Sequence, residues 1–348
     1  MRISQIDSAK FIAIFFVIVS HSSLSSAVAP FLFAFHVQLF FICYGYVCKD
    51  RNLSVSNYIL GGGKSLMYRF MVTFVLLSLI FGPPLSLPYL IRVLFYGRTA
   101  GVIGTEHLWF LPCFFLSALI FNILIIATRR EIYRFGIVCV LGVISSFLCY
   151  ESNICINLGS KVLHLTGYGY SNEIDLYWGF PYTFNVSLTG CVLMYIGLIL
   201  RKVFERFKVI EKKRLYIPVG FVCLLVGSVG YYINQSLLNN DFVFKLITMS
   251  HAIYGNYLLF LLVSTCLTIT TICIACHVNN ALFSRYGKET MAIYAFHPFI
   301  MGIVGFAFSI LCIPDFDGII KSVFTILICC LLIPIIRKID PALVGVRK

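Results

Sequence analysis

The sequence has 348 residues, of which 60% are hydrophobic and only 12% are charged. About a quarter of an ordinary soluble sequence is Asp, Glu, Lys or Arg, so this composition excludes a typical soluble domain. The apolar residues fall in blocks of about twenty, the length that an α-helix needs to cross a bilayer. Such blocks must be helical, because lipid offers the backbone no hydrogen bonds. We therefore predict an all-α, polytopic integral membrane protein with a single membrane-embedded domain, residues 1–348.

About ten transmembrane helices are predicted, with both termini in the cytoplasm. Only five of the 27 lysines and arginines fall in the predicted outer segments, and seven lie together from Arg201 to Arg214 on the inner side. This asymmetry follows the positive-inside rule and gives the orientation. It also explains the net charge of +13 without a nucleic-acid partner. The predicted helices span residues 6–26, 31–48, 66–82, 107–128, 135–150, 180–200, 215–233, 256–276, 291–312 and 319–336.

The first predicted helix carries three ionisable residues, which are costly in a membrane and therefore candidates for function. Lys10 and His21 are eleven positions apart and share one face of the helix, with Asp7 within about 40° of that face. The helical rise separates Lys10 from His21 by about 16 Å, so the two suit opposite parts of one long ligand. The alternative is a lysine that reaches the headgroups and a histidine that only ends the helix.

The same segment also has the features of a cleavable signal peptide. Arg2 and Lys10 precede the apolar run Phe11–Val19, and Ala27-Val28-Ala29 is similar to a cleavage site. Cleavage would leave the rest of the topology unchanged, so charge counting does not separate the two possibilities. N-terminal sequencing of the mature chain would distinguish a retained first helix from a cleaved signal peptide.

The second predicted helix contributes His36 and Gln38. His21 and His36 are equally far from the turn near Ala27–Pro30, so an antiparallel hairpin places them at similar depth. Four serines between Ser22 and Ser26 are too polar for a wall that faces lipid, which indicates a hydrated or protein-lined cavity. Two histidines at one level beside hydroxyls and an amide predict a polar site in the membrane. No helix shows histidine and carboxylate residues at ligand spacing, so no metal is predicted.

Several motifs along nearly the whole chain together resemble one protein family. Asp7-x-x-Lys10-x10-His21 lies in the first helix, and Phe35-His36-x-x-Leu39-Phe40-Phe41 with Gly45-Tyr46 lies in the second. Leu108-Trp109-Phe110-Leu111-Pro112 and Ile293-Tyr294-x-x-His297-Pro298 follow in the fourth and ninth. These motifs resemble the bacterial membrane acyltransferase-3 family, and most of all its fucose 4-O-acetylase-like branch.

Four features depart from the pattern of that family. Ser20 stands where Gly is usual, Val37-Gln38 replaces Met-Pro, and Tyr44 replaces Ser before Gly45. The family usually has a stretch from a basic residue to a proline at the start of the third helix. This chain has only the basic residue, Arg69, and lacks the proline. These departures concern the substrate more than the acyl-transfer chemistry.

The resemblance implies an O-acyltransferase of the bacterial inner (cytoplasmic) membrane. It would move an acetyl group from cytoplasmic acetyl-CoA to a hydroxyl of a surface or exported polysaccharide, or of a lipid-linked sugar. His21 would be the general base that a weakly nucleophilic sugar hydroxyl needs, or a transient acyl carrier. His36 would orient the acceptor or the thioester carbonyl. The remaining candidates are Lys10, Lys64 and Arg69 for the CoA phosphates, His297 for the pantetheine arm, Gln38, Glu106 and Trp109 for the acceptor, and Asp7 in support.

Trp109 and His297 have structural alternatives, as an interfacial belt residue and as a packing residue before Pro298. Two other functions are also considered. A membrane glycan polymerase would want basic residues in its outer loops, where this chain has five basic and seven acidic ones. A transporter or flippase for a lipid-linked glycan would show broken helices in related halves, and the spacing of Lys10 and His21 has no counterpart in the second half.

Overall fold

The computed structural model describes residues 3–22, 28–48, 54–81, 93, 105–149, 180–209, 212–238, 246–278, 280–315 and 318–343. Nearly all of these residues are helical, and the only β-pairing among them is one isolated bridge between Thr248 and Ile253. The prediction of an all-α protein is confirmed. The α-helices are α1 (Ser4–Ser22), α2 (Val28–Phe33), α3 (Gln38–Val47), α4 (Val55–Asn57), α5 (Lys64–Phe81), α6 (Phe110–Ala127), α7 (Glu131–Phe147), α8 (Phe184–Phe207), α9 (Tyr216–Ser236), α10 (Tyr257–Val278), α11 (Ala281–Gly287), α12 (Thr290–Leu311) and α13 (Ile319–Ile339).

In the described part of the chain, nine helical spans are long and apolar enough to cross a membrane. They coincide with nine of the ten predicted helices. The tenth, predicted at residues 135–150, is α7, whose 17 residues lie at the short end of what a bilayer crossing requires. Its exposed side chains are largely apolar, with Ile132 and Phe147 more than 60% exposed. Lipid is the natural environment for such a surface.

The second predicted helix is not continuous, as the sequence suggested for residues 31–48, but is divided into α2 and α3 by turns at residues 34–37. Two polar side chains bond to the backbone at this break. Nδ1 of His36 lies 2.5 Å from the carbonyl oxygen of Leu32, and Nε2 of Gln38 donates to the carbonyl of Phe33 at 3.4 Å. Side-chain bonds of this kind compete with the helical ladder and bend it.

The third predicted helix begins at Val55, eleven residues before the predicted start at residue 66. The early part is α4 followed by a π-helical segment, Tyr58–Gly63, whose last three residues are glycines. Poor helix formers concealed this start in the sequence. Gly63 allows close packing, because a Cβ atom there would lie 2.5 Å from the ring of Phe115. Lys64 is consequently part of a helical run and not of an inner loop.

The described residues form two compact units. The first contains those of residues 1–48, 196–247 and 255–348, and α1 lies at its centre, in contact with α2, α3 and α10 to α13. One face of α1 is fully buried, as Ala13, Ile14 and Ile18 show. The helix also approaches α11 very closely, since a Cβ atom on Gly287 would overlap the backbone carbonyl of Asp7.

The second unit contains the described residues of 49–195 and 248–254. Polar contacts join its helices. Arg134 is buried and donates to the carbonyls of Ile125 and Thr128, which closes the end of α6. Ser145 of α7 lies 2.6 Å from the hydroxyl of Thr189 on α8. Bonds of this kind between apolar helices are typical of membrane proteins.

Candidate active site

His21 lies one residue before the end of α1, and two rings enclose its half-buried imidazole. The ring of His297 is 5.5 Å away between centroids and inclined by 38°. The ring of Phe33 meets it edge-on at 5.7 Å and 88°. No described residue forms a hydrogen bond with the His21 ring. Within the described part of the chain, the His21 ring is thus held by ring contacts alone.

His36 is almost fully buried, with 1% of its surface exposed. Its ring lies 5.2 Å from Phe33, which thus contacts both histidines of the first two spans. Because the carbonyl of Leu32 can only accept, Nδ1 of His36 carries the proton and Nε2 keeps its lone pair.

His297 is fully buried on α12, and its Nδ1 bonds to the carbonyl oxygen of Tyr294 at 2.8 Å. Pro298 follows inside the helix. A proline has no N–H, so it cannot make the helical bond to the carbonyl four residues earlier, which is that of Tyr294. His297 supplies the donor in its place. The same argument then fixes its tautomer, with the proton on Nδ1 and the lone pair on Nε2.

Gln38 stands at the start of α3 and has no exposed surface. Its amide nitrogen donates to the carbonyl of Phe33, whereas no described residue donates to its Oε1 atom. A buried acceptor without a donor is costly. Gln38 consequently offers a bond to an N–H or O–H group of a ligand.

Lys10 and Asp7 form an ion pair of 2.6 Å at the other end of α1. Asp7 is nearly buried, with 6% of its side chain exposed, and Lys10 remains 27% exposed. Phe11 packs beside them on Phe283 of α11, at 5.0 Å between ring centroids. The pair therefore sits at a packed helix end, about 16 Å along the axis from His21 at 1.5 Å per residue.

The His21 end of α1 is fixed as well. The hydroxyl of Ser22 donates to the carbonyl of Gly318 at 2.9 Å and lies 2.5 Å from the hydroxyl of Ser322 on α13. Gly318 has φ +73, and a Cβ atom there would lie 2.7 Å from atoms of Ser22. This contact, the Ser22–Gly318 junction, requires glycine twice over, for its backbone conformation and for its space.

Four predicted site residues lie in the second unit. Lys64 begins α5 with an exposed side chain, and Arg69 is 9% exposed and donates to Ser65 at 2.9 Å. Trp109 is also buried, with its ring edge-on to that of Phe110. Glu106 begins the 3₁₀ segment Glu106–Trp109, and its side chain lies outside the described residues.

Comparison with protein families shows which kind of protein carries this arrangement of histidines. The family described as "Acyltransferase domain" matches residues 3–336, nearly the whole chain. The chain belongs to the acyltransferase-3 family. The resemblance seen in its motifs is thereby confirmed at the level of the family, and the protein is a membrane acyltransferase. No protein with a curated description matches the sequence.

In this acyltransferase the first unit brings together Asp7 with Lys10 at one end of α1, and His21, His36 and His297 at the other. Acyl transfer commonly needs a base, and the unit presents one imidazole that no described residue hydrogen-bonds beside two whose tautomers are fixed. In the part of the chain that the structure describes, no cluster of three His, Cys, Asp or Glu residues could hold a metal ion.

Sequence reasoning missed several neighbours of His21. Phe33 had no role assigned, because one more aromatic residue in an apolar helix gives no signal. Tyr294 was quoted only as part of a motif, yet its carbonyl orients His297. A proline directly after a histidine was the available signal, since it indicates a carbonyl that lacks its helical donor. His107 was not considered either, and it is buried in the second unit, two residues before Trp109.

Proposed function

We propose that this acyltransferase is an O-acetyltransferase that uses acetyl-CoA from the cytoplasm and acetylates a sugar hydroxyl of an exported or surface polysaccharide. One observation carries the proposal. The half-buried His21 imidazole, with no hydrogen bond from a described residue, lies at the opposite end of α1 from the ion pair of Lys10 and Asp7. A single rigid helix thus presents a cation for the donor and a base for the acceptor.

Acyl transfer from a thioester to a hydroxyl requires little beyond a cation that binds the donor and a base that activates the acceptor. A thioester is already reactive, whereas a sugar hydroxyl is a poor nucleophile until a base removes its proton. His21 takes that proton as the hydroxyl oxygen bonds to the thioester carbonyl carbon. The carbon–sulfur bond then breaks, and the protonated His21 returns the proton to the CoA thiolate. An imidazole suits both steps, because it can accept and release a proton near neutral pH.

The donor would bind with its phosphates near Lys10 and its thioester near His21. Asp7 holds the ammonium group of Lys10 at 2.6 Å, so the lysine meets the phosphates in one orientation. Lys64 and Arg69 are the further cations proposed for this role. The distance of about 16 Å along α1 is of the order that the pantetheine arm of CoA bridges.

The acceptor would enter from the opposite side of the membrane. His36 would orient the acceptor, whose hydroxyl can donate to the lone pair on Nε2, and the buried Oε1 atom of Gln38 would accept a bond from a hydroxyl or amide group. Glu106 and Trp109 are proposed to contact the glycan. The excess of basic residues in predicted inner segments supports a cytoplasmic donor, and a bacterial inner membrane is the proposed location.

A gene deletion tests the proposal, with surface glycan analysed by mass spectrometry. We expect each repeat unit to lose the mass of one acetyl group while chain length stays the same. Complementation with the wild-type gene should restore that mass, and His21→Ala should not. Shortened chains with unchanged acetylation would instead indicate a polymerase, and glycan retained inside the cell with its acetyl groups would indicate a flippase.

A further inference from the structure

His297 contacts His21, and the reaction steps proposed above give this contact no role. Its ring lies against that of His21 at 5.5 Å, and it is fully buried, so it cannot itself meet a bulky acceptor from solvent. It is also close to Tyr294 of its own helix, at 5.7 Å between rings. From this buried position, the His297 imidazole can act on the neighbouring imidazole of His21.

The sequence Tyr294-Ala295-Phe296-His297-Pro298 explains how that ring is oriented. Pro298 interrupts the hydrogen bonds of α12 and leaves the Tyr294 carbonyl without the donor that a regular helix would provide. Nδ1 of His297 donates to it at 2.8 Å. The proline therefore creates the acceptor that fixes both the direction of the His297 ring and its tautomer, with the lone pair on Nε2.

The lone pair on Nε2 of His297 can interact with the positive charge that His21 acquires during the reaction. When His21 removes a proton from the acceptor, it becomes a cation in a half-buried position. Bonds to a charged partner are stronger in such surroundings than in water. A neutral imidazole that is held in place as an acceptor lowers the energy of the cation without a competing charge. The rings lie 5.5 Å apart between centroids, and the role requires a hydrogen bond to form between them as His21 is protonated.

We propose that His297, fixed by Pro298 and the Tyr294 carbonyl, is a positioning residue that orients the His21 imidazole and stabilises its protonated form during acyl transfer. This rests on the proposed role of His21 as the base. It differs from a pantetheine-binding role for His297, which would act on the affinity for acetyl-CoA. The two roles affect different kinetic constants.

Pro298→Ala is the sharpest variant. The alanine introduced there would have an N–H group that competes with Nδ1 of His297 for the Tyr294 carbonyl, while His297 itself stays present. Alanine is also a far better helix former than proline, so the chain should fold at least as well as before. Pro334→Ala is the matched control, because Pro334 lies inside α13 and follows an isoleucine.

The assay uses the purified full chain, acetyl-CoA with a radiolabelled acetyl group, and glycan extracted from cells that lack the gene. For Pro298→Ala we expect kcat to fall about tenfold, the loss typical of one bond to a charged group, with KM for acetyl-CoA within about twofold of wild type. His297→Ala should lose at least as much. Pro334→Ala and His277→Ala, which changes an exposed histidine at the end of α10, should match wild type.

Each other outcome overturns the inference in a recognisable way. An unchanged kcat for Pro298→Ala and His297→Ala removes the positioning role and leaves the proposed acetyl transfer intact. A raised KM for acetyl-CoA with unchanged kcat assigns His297 to the donor. If the wild-type protein labels no glycan, the proposed function fails, and the role of His297 fails with it.

Discussion

The imidazoles of His21 and His297 lie 5.5 Å apart, although they belong to α1 and α12 at opposite ends of the sequence. Two glycines hold α1 in the position that makes this contact. Gly287 packs on the backbone of Asp7 at the start of the helix, and Gly318 packs on Ser22 at its end. The geometry of the site therefore depends on how α1 packs against Gly287 and Gly318 as well as on the side chains of the site.

The contact at Gly287 predicts a stability effect. Gly287→Ala adds a Cβ atom that would overlap the Asp7 carbonyl, so α1 and α11 must move apart. We expect a loss of about 1–3 kcal/mol, the usual cost of overpacking, seen as a lower melting temperature in detergent. Gly302→Ala on α12 is the control, since no atom lies within 4 Å of its added Cβ. Equal melting temperatures for the two variants would contradict the close approach.

The Ser22–Gly318 junction predicts an effect on rate. Ser322→Ala removes the hydroxyl that lies 2.5 Å from Ser22, next to His21. A single bond between membrane helices contributes about 0.6 kcal/mol on average, so transfer should slow by less than about tenfold while the chain stays folded. Thr325→Ala removes a buried hydroxyl that bonds to Lys321 within α13. It should leave the rate unchanged, and an equal loss in both variants would show a general effect on the helix.

The ion pair at the start of α1 predicts an effect on donor binding. Lys10→Gln removes the cation proposed to meet the CoA phosphates, so KM for acetyl-CoA should rise about tenfold with kcat nearly unchanged. Lys10→Arg should retain most of the affinity. Lys288→Gln, at an exposed lysine in the same unit, serves as the control. A fall in kcat alone would place Lys10 in the chemical step and not in donor binding.

Whether the short helix α7 crosses the membrane decides on which side of the membrane the chain ends. With ten crossings both termini lie in the cytoplasm, whereas with nine they lie on opposite sides. Fluorescent protein and alkaline phosphatase, each fused after Lys348, report the two sides separately. We expect fluorescence and no phosphatase activity. Active phosphatase would show that α7, with its 17 residues, does not cross.

Most of the fold could be predicted from the sequence, because apolar blocks of helical length have few alternatives in a bilayer. The exceptions are local. The break before Gln38 depends on side-chain bonds to the carbonyls of Leu32 and Phe33, which a hydrophobic pattern does not reveal. The helix start at Val55 is concealed by a glycine-rich π-helical segment.

The site could be predicted less completely. His21, His36 and Lys10 stand out because ionisable residues are rare in membrane helices. The contact between His21 and His297 could not be deduced, since the sequence gives neither the tilt of α12 nor its partner. From the sequence, His297 was a candidate for the pantetheine arm of the donor. The role of Phe33 between His21 and His36 likewise depends on packing alone.

The most direct test of the account is acetyl transfer by the wild-type chain and by His21→Ala, purified and folded alike, with radiolabelled acetyl-CoA and glycan from cells that lack the gene. The account predicts that wild type labels the glycan and that His21→Ala is slower by at least about 100-fold, as expected when a general base is lost. Labelling by His21→Ala at the wild-type rate would contradict it.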